Sequence, residues 1–175
     1  MIDNIDLHRV GADEVGTCIE GLADLLIDCV EGGASVSFML PLSRATALAF
    51  WRDVAEGVAR GDRILLIARE EDGQIAGTVQ LVTAQPENQP HRADVAKMLV
   101  HRRARRRGIA RRLMASIEET ARCEGKTVLV LDTMSDGDAE RLYQRAGWQR
   151  AGTVPNYALM PTGDLCDTTF YFKQL

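Results

Sequence analysis

The 175-residue sequence has no hydrophobic run of the roughly 18 residues that a membrane-spanning helix needs. It also lacks a basic N-terminal region followed by an apolar stretch, the usual form of a secretion signal. No repeat, low-complexity segment or linker interrupts the chain. We therefore expect one domain over residues 1–175, large enough to bury its own core, in a cytoplasmic protein that does not bind membranes.

Cysteine and histidine are scarce, with four and three residues, and their spacing does not resemble a metal site. The cysteines contain no Cys-x-x-Cys pair. Cys18 and Cys29 lie on one predicted helix about 16 Å apart, which is too far for a disulfide. We expect reduced thiols, no bound metal and no cysteine placed to carry an acyl group.

Hydrophobic periodicity predicts four helices and seven strands. Gly32-Gly33 ends the first helix, Ser43 is a suitable N-cap for the second, and Asp72-Gly73 is typical of a hairpin turn. Two helices, a hairpin and then alternating strands and helices predict an α/β fold with a mixed sheet and helices on its faces. The predicted strands are 5–10, 64–69, 74–82, 93–100, 127–132, 148–154 and 168–172, and the helices begin near 14, 43, 109 and 136.

The positive charge is concentrated in one short window. The net charge is −4, yet seven of the 21 lysines and arginines lie within residues 102–112. A basic island on an acidic chain indicates one localised anionic ligand. A nucleic-acid-binding protein more often spreads its positive charge over a whole face, although a nucleic-acid module built on these arginines stays open.

The basic window contains a glycine turn between a predicted strand and a predicted helix. It has neither the GxxxxGK[ST] of a P-loop nor the GxGxxG of a dinucleotide fold, but reads Arg105-x-x-Gly108-x-Ala110. At such a turn the free backbone N–H groups and the positive end of the helix dipole both face a bound phosphate. Gly108 also lets the backbone approach the ligand without a Cβ atom in between.

A second motif follows, Ala139-x-x-Leu142-Tyr143-x-x-x-Gly147-Trp148. Together the two motifs resemble the pyrophosphate-binding and later motifs of the GCN5-related N-acetyltransferases (GNATs), over about Ile64–Lys173. Asp136 stands where that family often has asparagine. The resemblance implies a central, mostly antiparallel sheet in which the parallel strands at 94–100 and 127–132 splay apart.

The resemblance also implies a coenzyme site for acetyl-CoA as cosubstrate. The pantetheine arm would pair with the open edge of the strand that ends at Val100, as an added strand would. Arg102, Arg103 and Arg112 are instead expected at the protein surface, and His101 either at the surface or on the phosphate side of the turn. The coenzyme-binding residues implied are Met98, Leu99, Val100, Arg105, Arg106, Arg107, Gly108, Ile109, Ala110 and Arg111.

Acetyl transfer to an amine requires removal of a proton from the ammonium and delivery of one to the thiolate. By the resemblance, Tyr143 is the candidate acid. Asp94 and Asp132 are candidate bases or amine-binding groups that would face one cleft, and a base acting through water stays open. Ser35 and Phe38 in the loop 31–39 either touch the acceptor or only pack.

The expected activity is transfer of the acetyl group of acetyl-CoA to a primary amine of a small molecule, by direct attack in a ternary complex. The segments 25–39 and 170–173 are similar to family members that confer resistance to tabtoxin, which implies an amino-acid-like toxin or antibiotic as acceptor and a role in detoxification. Three alternatives stay open: a protein N-terminal or side-chain acetyltransferase, a non-catalytic CoA-binding sensor and a nucleic-acid-binding module. Whether the protein is a homodimer is also open.

Overall fold

The computed structural model describes residues 5–175, which form one sheet flanked by helices. No helix in this range is long and apolar enough to cross a membrane. A short 3₁₀ turn, Arg102–Ala104, follows the fourth strand. The strands are β1 (Asp6–Arg9), β2 (Arg63–Arg69), β3 (Ile75–Val82), β4 (Arg92–Val100), β5 (Val128–Met134), β6 (Gln149–Leu159) and β7 (Leu165–Gln174), and the helices are α1 (Val15–Glu31), α2 (Arg44–Ala59), α3 (Ile109–Cys123) and α4 (Asp138–Arg145).

The seven described strands lie in the order β1-β2-β3-β4-β5-β7-β6. The pair β4–β5 is parallel and the other five neighbouring pairs are antiparallel. A parallel neighbour requires a crossover, which α3 provides. The predicted fold class, a mixed sheet with flanking helices, is confirmed.

Each face of the sheet carries its own hydrophobic core. α3 and α4 cover one face, and the predicted α3 stripe of Ile109, Leu113 and Ile117 is at most 1% exposed. α1 and α2 cover the other face, where Trp51 and both cysteines of α1 are buried. The Ser43 hydroxyl accepts a hydrogen bond from the Thr46 N–H at 3.0 Å, which confirms the predicted N-cap of α2.

The last two strands are longer than the sequence pattern predicts, because β6 continues to Leu159 and β7 already begins at Leu165. β6 is an edge strand whose residues are almost all exposed, so that no alternation of apolar and polar residues marks its extent. The resulting hairpin reaches the loop between α1 and α2, where the Leu40 N–H donates to the Pro161 carbonyl at 3.0 Å.

β4 contains a β-bulge, which the sequence does not predict. Lys97 has a φ of +50°, and Lys97 and Met98 together lie opposite Val79 of β3. Strict alternation would place residues 95 and 99 on one face of the sheet. Instead Val95 packs with α3, and Leu99 packs with α1 on the other face. The bulge therefore reverses, halfway along β4, which face of the sheet the odd-numbered side chains occupy.

β4 and β5 splay apart soon after they meet. Their backbones pair only at 92–94 with 128–130, whereas β4 remains paired with β3 as far as Val100. The edge of β4 that faces β5 is thus left without a strand partner from residue 95 onward. This is the gap that the resemblance predicts for a pantetheine arm.

Candidate active site

The turn that follows β4 is shaped for an anion. The His101 ring Nδ1 accepts a hydrogen bond from the Arg103 N–H at 3.2 Å and so orders the 3₁₀ turn. Arg106 and Gly108 then take positive φ values of +64° and +77°, which bring the chain directly into α3. A Cβ atom on Gly108 would meet no other atom within 4 Å, so that the space above this residue is open.

The backbone donors of this turn are free to bind a ligand. α3 has no side-chain cap, and the N–H groups of residues 108–111 make no hydrogen bond to any other residue of the range 5–175. Four free donors at the positive end of a 15-residue helix are the usual arrangement for binding a phosphate group. The turn therefore fits the pyrophosphate of coenzyme A.

The exposed edge of β4 supplies the second part of a coenzyme site. The His101 N–H donates to the Ala76 carbonyl of β3 at 2.9 Å. Because backbone direction alternates along a strand, the polar groups of Met98 and the Val100 N–H point away from β3, toward the gap beside β5, while the Val100 carbonyl accepts from Cys29 Sγ at 3.5 Å and Arg105 Nε at 3.4 Å. Leu99 does not fit its predicted role, since its backbone faces β3 and its side chain is buried beside α1.

The arginines of the turn divide into paired and unpaired groups. Arg102 bonds to Asp28, and both Arg103 and Arg107 bond to Glu70. These ion pairs hold the pKa of the Glu70 carboxyl below its usual range, with Arg107 the larger cause. The Arg107 side chain is therefore engaged by Glu70, and its contact with the coenzyme stays a prediction. Within residues 5–175, the arginines of the turn with no acidic partner are Arg105, Arg106, Arg111 and Arg112.

The unpaired arginines still differ from one another. Arg105 Nε donates to the Val100 carbonyl at 3.4 Å, and Arg112 donates to the Ile5 carbonyl at 2.9 Å. Arg106 and Arg111 are exposed and carry free guanidinium groups within the described range. The side chain of Ile109 is buried in the α3 core, so only its backbone and that of Ala110 face the turn.

A cleft of about 500 Å³ adjoins the gap between β4 and β5. Both Ser35 and Phe38 lie in its wall, as does most of the loop that joins α1 to α2. The Ser35 hydroxyl is already bonded to the Leu159 carbonyl at 3.2 Å, and Phe38 packs edge-on against Phe50. The other walls are formed by residues 95–98, 132–134, 137–139, 157–159, Tyr143 and Thr168.

Tyr143, the candidate acid, lines the cleft. It projects from α4 between the rings of Trp148 and Tyr171, with both centroids 6.1 Å away. Its hydroxyl makes no hydrogen bond to any residue in the described part of the chain. Burial, and secondarily the negative charge of Asp132, raise its pKa to about 12. The phenol is therefore protonated at neutral pH and can donate a hydrogen bond into the cleft.

The two predicted carboxylates do not share the cleft. Asp132 lies at its wall, is exposed, and forms no ion pair or hydrogen bond with residues 5–175. Asp94 lies at the start of β4 and is absent from the lining. It is bonded to the Arg92 guanidinium and accepts a hydrogen bond from Gln85 Nε2 at 3.0 Å. The structure brings Asp132 and Tyr143 together and leaves Asp94 engaged elsewhere.

Lys97 is a cleft residue that the sequence analysis does not identify. The bulge turns its side chain toward the α1–α2 loop, where its Nζ lies 3.1 Å from the Ser37 hydroxyl and 5.8 Å from the centroid of the Phe50 ring. The available signal was a single lysine within the otherwise apolar end of a strand, 95–100. Its orientation depends on the bulge and could not be predicted from periodicity.

Neither a metal cluster nor a cleft thiol occurs in the range 5–175. No three His, Cys, Asp or Glu side chains there come together as a metal site, and the lining contains no cysteine. Cys18 and Cys29 are buried in α1, and burial raises the pKa of the Cys29 thiol to about 11. Cys166 lies 3.9 Å from the Ser35 hydroxyl, behind the cleft wall.

Comparison with known proteins identifies the same family that the two sequence motifs resemble. The profile of the acetyltransferase (GNAT) family matches residues 34–148. An uncharacterized N-acetyltransferase from the hisH-hisA intergenic region of Azospirillum brasilense is 34% identical over 131 residues, which are 74% of this chain and 75% of that protein.

Two solved structures share the fold. The YncA protein of Salmonella typhimurium, solved with its cofactor acetyl-CoA, superposes with a TM-score of 0.78 at 20% identity, over 98% of this chain and 94% of that chain. An N-acetyltransferase from Staphylococcus aureus Mu50 gives 0.78 at 18% identity, over 98% of both chains. The chain belongs to the GNAT family, and it is an acetyl-CoA-dependent N-acetyltransferase.

Proposed function

We propose that the enzyme acetylates the primary amine of a small molecule, and that the amine attacks the thioester directly in a ternary complex. The observation that carries this proposal is the position of Tyr143 and Asp132 on one cleft beside the open edge of β4. The absence of a thiol from the described lining supports direct attack over an acyl-enzyme.

The two residues have different roles in this proposal. Asp132 attracts the acceptor ammonium and, directly or through water, accepts the proton that the amine loses. Tyr143 donates its phenolic hydrogen bond toward the leaving sulfur, since its high pKa keeps it protonated. The coenzyme supplies the acetyl thioester, held by the turn at Gly108 and by the β4 backbone at Met98 and Val100.

The enclosure of the cleft favours a small acceptor over a polypeptide. The α1–α2 loop is fastened to the β6–β7 hairpin by two hydrogen bonds, from Leu40 to Pro161 at 3.0 Å and from Ser35 to Leu159 at 3.2 Å. This connection covers one side of the space in front of Asp132. A bound peptide would need an open groove along which its chain could leave the site.

A toxin or antibiotic with an amino-acid-like amine is the acceptor we favour, with detoxification as the role. This part of the proposal rests on the similarity of segments 25–39 and 170–173 to tabtoxin-resistance members of the family. Both segments lie near the cleft, since residues 33–39 line it and Phe170 packs against the lining residue Tyr157 with ring centroids 5.5 Å apart.

The test is a screen for thiol release from acetyl-CoA with amino acids, β-lactam amines, polyamines and peptides with free N-termini. We expect turnover with one or more small amines and none with the peptides. Turnover restricted to peptides would identify a protein acetyltransferase and contradict the proposal.

The Asp132→Asn variant tests the proposed base, because asparagine keeps the size of the side chain and removes its charge, and Asp94→Asn is the matched control. We expect kcat/KM for the accepted amine to fall at least tenfold while the dissociation constant for acetyl-CoA is unchanged. Asp94→Asn should leave kcat/KM within about threefold of the wild type. The opposite ranking of the two variants would assign the proton to Asp94.

A further inference from the structure

Lys97 places a positive charge in the cleft with no acidic partner in direct contact. Within residues 5–175 its Nζ contacts the Ser37 hydroxyl and the face of the Phe50 ring, and it forms no ion pair. Most lysines keep their ammonium group in water, whereas this one is half-buried in the cleft wall. A cation in this position is available to a ligand that carries negative charge.

The charges around Lys97 indicate where that ligand would lie. Burial lowers the pKa of Lys97, the negative charge of Asp132 opposes this shift, and the positive charge of Arg63 adds a smaller lowering. Asp132 is on the neighbouring strand and is likewise unpaired within the described range. The cleft therefore presents one free cation and one free anion that do not bond to each other.

The bulge explains why the Lys97 side chain lies on the α1–α2 side of the sheet. Without the extra residue, alternation would direct residue 97 toward the α3 face, where Ala93 and Val95 are buried. The positive φ at Lys97 instead directs it toward Ser37 and Phe50, across the cleft from α4. A non-glycine residue with positive φ is uncommon and costs conformational energy, so this placement is maintained against strain.

We propose that Lys97 binds a carboxylate of the acceptor, so that the substrate is an amine with a carboxylate a few bonds from its nitrogen. The ammonium of such a molecule faces Asp132 and its carboxylate faces Lys97 and the Ser37 hydroxyl. An α-amino acid is the simplest molecule that carries both charges a few bonds apart. The inference rests on the proposed acetylation of a small amine, and it makes Lys97 a residue that determines specificity.

The test compares amino acids with their carboxamides, for instance glycine with glycinamide and L-serine with L-serinamide, by thiol release from acetyl-CoA. The carboxamide keeps the amine and the shape and removes the negative charge. For the amino acids that the wild type acetylates, we expect kcat/KM to exceed that of the carboxamide at least tenfold. In Lys97→Met this preference should fall about tenfold or more, and in Lys97→Arg it should be kept within about threefold.

Methionine is chosen because it fills the apolar stem of lysine and has the same Cβ, so that the strain at positive φ is unchanged. The preference of each variant, kcat/KM for the amino acid divided by kcat/KM for its carboxamide, is compared with that of the wild type. The different basicities of the two amines cancel in this comparison. A measurement on the wild type alone gives a second test: propionate, a carboxylate without an amine, should inhibit competitively against the acceptor and not against acetyl-CoA.

The possible results separate the two proposals. If the wild type releases no thiol from acetyl-CoA with any small amine, both the proposed function and the inference are contradicted. Thiol release restricted to amines without a carboxylate contradicts the inference alone. So does an unchanged preference in Lys97→Met, or an equal loss on amino acids and carboxamides, which would indicate a general role in folding or catalysis.

Discussion

Trp148 donates a hydrogen bond from its indole Nε1 to the buried carboxylate of Glu118 at 2.9 Å. The same carboxylate accepts from Lys173 Nζ at 2.7 Å, and the Trp148 ring packs against Tyr143 with centroids 6.1 Å apart. Glu118 lies on α3, the helix whose N-terminus follows the glycine turn at Gly108. One carboxylate thus connects the helix of the coenzyme site to the support of the candidate acid.

Glu118→Gln should destabilise the protein. Glutamine can still accept the indole hydrogen bond, but it leaves Lys173, whose side chain is 18% exposed, without its ion-pair partner. We expect the free energy of unfolding in urea to fall by about 2–3 kcal/mol, since a largely buried charge is left unpaired.

The matched control for Glu118→Gln is Glu119→Gln, the next residue of α3. Its side chain is 69% exposed and pairs with Arg122 on the surface, so we expect a change below about 0.5 kcal/mol. Combining Glu118→Gln with Lys173→Met should restore part of the loss. Equal effects of the two single variants would refute the importance of the buried pair.

Gly108→Val should weaken binding of acetyl-CoA at least tenfold, because the new side chain occupies the space above the free N–H groups. The folded chain itself has room for a Cβ atom there, so the loss of stability comes from the positive φ and should be about 1–2 kcal/mol. Isothermal titration with acetyl-CoA and urea unfolding measure the two effects separately.

Gly61→Val is the matched control for this change. Gly61 has a φ of +78°, against +77° for Gly108, and a Cβ atom added to it would meet no other atom within 4 Å. It lies outside the turn at Gly108. It should lose similar stability and keep the wild-type affinity for acetyl-CoA. If both variants bind equally well, the pyrophosphate does not lie at Gly108.

Tyr143→Phe should lower kcat about tenfold to a hundredfold and change the affinity for acetyl-CoA little. The hydroxyl makes no hydrogen bond to the described residues, so its removal leaves no partner unsatisfied and the rings of Trp148 and Tyr171 keep their contacts. Steady-state kinetics with the accepted amine provide the measurement. A variant with wild-type kcat would reduce Tyr143 to a packing residue.

Glu70 should contribute stability that depends on pH. Its side chain is 17% exposed, and Arg107 and Arg103 lower its pKa in the folded protein. A carboxyl with a lowered folded pKa stabilises the protein above its unfolded pKa of about 4.3, and this contribution is lost as the pH falls through the folded value.

Removal of the Glu70 charge tests that dependence. We expect Glu70→Gln to be about 1 kcal/mol less stable than the wild type at pH 7, with a difference that narrows below about pH 4. Urea unfolding across this range measures it. A difference that is constant with pH would show that the ion pairs of Glu70 do not account for the effect.

Local patterns in the sequence determined the elements and the coenzyme turn. Period-3.6 apolar spacing predicts α3, and a glycine between strand and helix predicts the turn at Gly108, because both depend on residues close together in the chain. The position of Tyr143 beside the cleft was implied only by the resemblance of its motif to the GNAT family. The structure agrees with the sequence at each of these places.

Only the tertiary structure decided which charges are free. Glu70, more than thirty residues earlier in the chain, binds the side chains of Arg103 and Arg107, and Arg92 with Gln85 binds Asp94. No periodicity records such pairings, because the Glu70 contacts form between distant segments and the Asp94 contacts depend on how the loop between β3 and β4 folds back on the strand.

The β4 bulge is decided in the same way, because the register of β3 against β4 allows two residues opposite one. It directs Lys97 into the cleft, where the sequence alone shows only a lysine within a strand. The sequence therefore determined the fold class and the glycine turn between β4 and α3. The charges that line the cleft were decided by folded contacts, because the β4 bulge places Lys97 beside the α1–α2 loop, while Gln85 and Arg92 hold Asp94 outside the lining.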